Sequence, residues 1–166
     1  MLGRSMKEDH GVMDEARRVN TVTNHGCFGC GTHNPIGLRL AFYRVDNQRI
    51  RAVFIPGAEH EGYARMTHGG IVSTLLDEAM SWAVTAPGRL AVTARMEVRF
   101  RRPVPVGVPV TVDGEMTRDR GRIIEAHAEV RDTAGGLLAE ASASFARVSP
   151  AQQREWDALY LGSASR

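Results

Sequence analysis

Residues 67–84 constrain this chain more than any other stretch. Ile71, Val72, Leu75, Leu76, Ala79, Met80, Ala83 and Val84 recur as adjacent pairs every four residues. At about 100° per residue they cover one broad apolar arc of a helix. Gly70, Ser73, Thr74, Asp77, Glu78 and Ser81 fall on the opposite arc, and Pro87-Gly88 stops the helix. An arc this wide needs a second layer to cover it.

The helix opens on Gly69-Gly70, where a Ser or Asp cap is the usual choice. Glycine costs helix stability, so two together point to something that approaches the backbone closely. A helix start carries unpaired N–H groups and partial positive charge, and suits a developing oxyanion. Asp77, two turns on, faces the same side as Gly70. A backbone donor and a carboxylate on one face point to acyl transfer to water. Glu78 is the rival carboxylate, about 100° further round. Ser81, one turn past Asp77, is within reach of that carboxylate or of a water beside it.

The rest of the chain reads as strands. Two lie before the helix, at 38–45 and 50–55. Four lie after it, at 90–100, 110–116, 122–131 and 137–148. In 90–100 the residues Val92, Ala94, Met96, Val98 and Phe100 share one face by alternation. Residues 150–161 read as a short surface helix with Trp156, Leu159 and Tyr160 on one side. The order is not an alternating βαβ one. It predicts an α+β fold, with one helix packed on an antiparallel sheet.

His68-Gly69-Gly70, followed by Asp77 nine residues after the His, resembles the hotdog-fold acyl-CoA thioesterases of the PaaI-like, phenylacetate-pathway type. The lead-in Cys27-x-x-Cys30-Gly31, then Asn34-Pro35-x-Gly37-Leu38, is similar to that of one branch of these enzymes. The resemblance spans residues ~25–148. It implies a long helix wrapped by a six-stranded antiparallel sheet and an acyl-CoA substrate, with no cofactor. Gly70 would supply the oxyanion N–H, Gly69 room for the acyl group, and Asp77 the base or nucleophile. His68 would support the helix entrance, by capping or proton transfer. Thr93 would place a hydroxyl near the attacking water. Arg101 and Arg102, and Arg120 and Arg122, would meet the coenzyme A phosphates. One departure stands out: many such enzymes carry Asn or Gln six residues before the His, where this chain has Gly62.

The helix geometry also bears on assembly. Gly70 and Asp77 are seven residues apart, or about 10.5 Å along the axis, too far for one helix to present both to a single carbonyl. Two antiparallel helices related by a two-fold axis would, as in the side-by-side dimer that the resemblance implies. A homodimer, or a dimer of dimers, is expected.

Composition excludes several classes. Net charge is +2, so nucleic acid is not an expected partner. No run of 18 apolar residues exists, so no membrane span is expected. Residues 1–20 lack an apolar signal core, which makes the cytoplasm the expected compartment. His25, Cys27, Cys30 and His33 all crowd into nine residues, whereas structural zinc sites join separated ligand pairs. No metal is expected. The expected organisation is a polar tail over 1–24, a hotdog domain over 25–148, and a tail or short helix over 149–166. The rival functions are a hotdog enoyl-CoA hydratase and a non-catalytic acyl-CoA-binding protein. Met66, Met80 and Trp82 are candidates for a pocket lining or for plain core.

Overall fold

The computed structural model describes residues 17–162. The expected tail up to residue 16 and the last four residues lie outside the described residues. The elements in chain order are β1 (Tyr43–Arg44), β2 (Arg49–Phe54), α1 (Gly69–Thr85), β3 (Ala91–Phe100), β4 (Val110–Asp119), β5 (Ile123–Arg131), β6 (Leu137–Arg147) and α2 (Pro150–Trp156). The six strands form one antiparallel sheet in the order β1-β2-β4-β5-β6-β3. Helix α1 lies across it. This is the hotdog fold.

The two periodicities explain the layers. The apolar arc of α1 supplies Val72, Leu75, Leu76, Ala79, Met80 and Ala83 to the core. β5 alternates buried and half-buried positions along its whole length, sending Ile124, Ala126, Ala128 and Val130 inward. Each fully buried Leu or Ile contributes roughly 2 kcal/mol in transfer terms. Gly114, inside β4, sets how closely helix and sheet pack, because a Cβ there would overlap the carbonyl of Ala79. Arg51 and Asp113 sit opposite each other on β2 and β4 and join by two bonds, Nε–Oδ1 at 2.6 Å and Nη2–Oδ2 at 2.8 Å.

Three expectations need adjusting. The strand expected over 38–45 shrinks to Tyr43–Arg44. Leu38, Leu40 and Phe42 are buried as the alternation demands, but their N–H groups go to Phe28 O, Gly29 O and Asn20 Oδ1. The backbone of 38–42 is thus paired with the chain's own lead-in rather than with a sheet strand. For the same reason the folded part begins before residue 25. Asn20 is fully buried; its amide donates to Leu40 O at 2.8 Å and its carbonyl accepts from Phe42 N–H. The third concerns β3: Thr93, opposite buried Phe145, shares the helix side with Met96, Val98 and Phe100, whereas Val92 lies on the other side; Met96 and Val98 pack against the core, while Val92 is 47% exposed and Phe100 57%. β3 ends the sheet, with a bulge between Thr93 and Arg95.

α2 follows Ser149, whose hydroxyl caps it, and it runs on into a wide turn at Asp157–Leu161. Tyr160 packs edge-on against Trp156 and His25. Met80 and Trp82 are core.

Candidate active site

His68 is the N-cap of α1, and its Nδ1 accepts the N–H of Gly70 at 2.9 Å. This imidazole stands in for the Ser or Asp cap ahead of the two glycines. The ring lies so close that a Cβ at Gly70 would sit 3.0 Å from Nδ1, which accounts for a glycine here. Gly62 packs under the same residue, and a Cβ there would come 3.0 Å from His68 Cα. A longer side chain at position 62 would need the helix entrance to shift. Gly69 faces the Phe100 ring at the far end of β3.

Asp77 is half-buried on α1, and Thr93 Oγ1 donates to its Oδ1 at 2.7 Å. The structure therefore brings Asp77 and Thr93 together. Ser81 makes no hydrogen bond to Asp77 among the described residues. Gly69 beside Phe100 and Asp77 beside Thr93 show that α1 runs antiparallel to β3. Both landmarks lie along the uncovered edge of the sheet.

Glu78 is not a second acid at this place. It points away from Thr93 into the lead-in loop. Its carboxylate lies 3.8 and 3.9 Å from the Cys27 thiol and accepts from Trp82 Nε1–H at 3.1 Å. Burial, with the Cys27 charge next in weight, pushes its pKa up to about 7. The Cys30 thiol, together with the N–H groups of Cys30 and Gly29, brings Cys27 down to about 5. Its bond to Cys27 and its burial push Cys30 well above the ordinary thiol value. Sequence reasoning treated the loop and the acid separately, because 51 residues separate Cys27 from Glu78.

The four arginines form two distant pairs. The N–H groups of Arg101 and Arg102 donate to Leu138 O at the start of β6, whereas Arg122 O accepts from Arg147 N–H at its end. At about 3.3 Å per residue the pairs stand roughly 30 Å apart. Three carry carboxylate partners: Arg101 with Glu140, Arg102 with Asp132 and Arg120 with Glu125. Arg122 has no side-chain ion pair among the described residues. Among the described residues, shallow depressions on the outer face of the sheet are lined by Glu97, His127 and Ser142 among others. No helix among the described residues is long and apolar enough to cross a membrane.

The thioesterase superfamily model matches residues 65–139, from the helix entrance into β6. The acyl-coenzyme A thioesterase THEM4 of Xenopus laevis is 28% identical over 110 residues, covering 66% of this chain and 50% of that protein. The chain thus spans about half the length of this curated relative. The PaaI protein of the E. coli phenylacetic acid degradation operon superposes with a TM-score of 0.63 at 19% identity, over 68% of this chain and 81% of that one. A Streptococcus mutans protein bound to acetyl CoA superposes with a TM-score of 0.62 at 16% identity, over 66% and 89%. The long helix and the antiparallel sheet agree with these likenesses: the chain has the hotdog fold, and its residues 65–139 match the thioesterase superfamily.

Proposed function

We propose that this protein hydrolyses the thioester of an acyl- or aryl-CoA to free acid and coenzyme A. The observation that carries this reading is the pairing of Asp77 with Thr93 on the helix face that Gly70 opens. Thr93 fixes one carboxylate oxygen and leaves the other for a water or for the carbonyl carbon itself. Asp77 then acts as general base or as nucleophile. The Gly70 N–H receives the oxyanion, an interaction typically worth about 3 kcal/mol.

His68 gives that donor a particular character. An N–H already bonded to a neutral imidazole gains little from a neutral carbonyl. An oxyanion is the stronger acceptor, because the bond is then charge-assisted. The exchange becomes favourable as charge develops, so the donor favours the transition state over the bound substrate.

β3 supports a shared site. It is a ten-residue free edge with Val92 and Phe100 exposed. Antiparallel pairing with a second β3 about a two-fold near Met96 would set Thr93 opposite Phe100 of the other copy. Asp77 of one chain would then lie beside Gly69 and Gly70 of the other, as in a homodimer or a dimer of dimers. Of the arginines, Arg101 and Arg102 follow Phe100 directly and suit the coenzyme A phosphates of that site. Arg120 and Arg122, at the other end of β6, would serve only from a further subunit.

The test is thiol release from a panel of acyl-CoAs, with Asp77→Asn as control. Turnover that Asp77→Asn abolishes supports the reading. Acyl-CoA binding without thiol release would favour the non-catalytic binder, and hydration of an enoyl-CoA the hydratase.

A further inference from the structure

The lead-in loop and α1 build a second cluster, apart from Asp77. Cys27 is half-buried and Cys30 is buried, and both thiols are free. One donor atom from each of Cys27, Cys30 and Glu78 lies within 4.8 Å of the others. The objection to a metal in this loop was that all its ligands came from one short stretch. Glu78 removes that objection, since it reaches in from the helix.

We propose that Cys27, Cys30 and Glu78 form a site for a soft divalent cation of the zinc type, which ties the lead-in loop to the helix that carries Asp77.

Size supports it. A tetrahedral ion with metal–sulfur bonds of about 2.3 Å and metal–oxygen bonds of about 2.0 Å holds sulfur and oxygen about 3.5 Å apart. The Cys27 sulfur is 3.8 and 3.9 Å from the Glu78 oxygens. The Cys-x-x-Cys turn is closed by Gly31 N–H on Cys27 O at 3.0 Å, and the N–H groups of Gly29 and Cys30 face the Cys27 sulfur. Trp82 Nε1–H reaches Cys30 Sγ at 3.4 Å as well as Glu78 Oε1 at 3.1 Å. Such outer donors orient ligands and support their anionic forms. Gly29 leaves the room required, for a Cβ there would overlap the Glu78 carboxylate.

Charge also supports it. Two thiols and a carboxylate converge here, and Glu78 has no Lys or Arg ion pair among the described residues. The other triad of ligand-type side chains among the described residues, His127, Glu129 and Glu140, is different. There Arg131 holds Glu129 at 2.7 Å and Arg101 holds Glu140, so no cation is called for. At the cysteine cluster a divalent cation would supply the missing positive charge. A fourth ligand, which these three residues do not supply, would be a water, since Cys27 is only half-buried.

The experiment uses the full chain, purified under reducing conditions without added metal, then stripped with a chelator. Elemental analysis of the unstripped protein should find about one zinc per chain. Cobalt(II) added to the stripped protein should give a thiolate-to-cobalt charge-transfer band that saturates at one cobalt per chain and is displaced by zinc. Glu78→Gln should weaken cobalt binding at least ~10-fold with an unchanged far-ultraviolet circular dichroism spectrum. Absence of the band while both thiols remain titratable would overturn the site. So would a Cys27–Cys30 disulfide in reducing buffer, or a Glu78→Gln chain that binds as tightly as the parent. Should Glu78→Gln not fold, Cys27→Ser replaces it: loss of the tight, saturable band supports the site, and an unchanged band overturns it.

Discussion

The Thr93 hydroxyl donates to Asp77 Oδ1 across 2.7 Å and joins the middle of the long helix to the free edge strand. Neither residue is fully buried, so packing alone does not account for the bond. It does hold a carboxylate in one orientation beside an open edge, as a base or nucleophile requires.

Asp77→Asn should lower kcat by ~10²-fold or more with KM little changed. Thr93→Val should keep the fold and lower kcat by a smaller factor, since it disturbs orientation and leaves the carboxylate. Glu78→Gln should be much milder on kcat than Asp77→Asn. Steady-state kinetics on the three variants checks this, and a reversed order of Asp77 and Glu78 would show that the acid was misassigned.

His68→Ala removes the cap on Gly70 and should cost about 1 kcal/mol of stability, read as a lower Tm. The freed N–H then meets the substrate carbonyl without competition. KM should fall or hold level, while kcat stays far above that of Asp77→Asn. A kcat as low as that of Asp77→Asn would instead make His68 a proton carrier.

Complementation decides whether sites are shared. Gly70→Pro lacks the donor N–H and Asp77→Asn lacks the carboxylate, and each should be inactive alone. In a mixed dimer with shared sites, one site carries both defects and the other carries none, so activity should return. Gly70→Pro must fold and dimerise for the test to count, and proline is accepted near a helix start. Well-formed mixed dimers with no activity would refute sharing.

Gly114→Val drives a side chain into the Ala79 carbonyl. It should cost about 1–3 kcal/mol through overpacking, measured by denaturant unfolding. A neutral result would mean that α1 can lift off β4 without penalty.

Much of the fold was legible because its two periods are clean. The apolar pairs of α1 and the alternation of β5 leave little choice of element or inward face. The His68-Gly70-Asp77 spacing was legible for the same reason, since one helix relates all three. What was not legible depends on contacts between distant segments. Nothing local in Asn20 says that it will satisfy Leu40 and Phe42. Nothing in Glu78 says that it turns from Asp77 to the cysteine loop. The alternation in β3 was read as one unbroken face, but the bulge after Thr93 turns Thr93 toward the helix and Val92 away from it, and a strand's own period does not show where a bulge falls. His68 as a cap was weighed; that its ring takes the Gly70 N–H needed coordinates.

The lead-in has one more consequence. Residues 18 and 19 pair with 43 and 42, so the chain covers part of its sheet at the β1 end. The β3 end stays open. A sheet with two open ends can recruit further chains at either side and grow without limit. One with a single open end has a valence of one: its first partner, joined across a two-fold, uses it up. With the pairing proposed through β3, growth by sheet extension would therefore be expected to stop at a pair, the residues that lead into the domain blunting the other end.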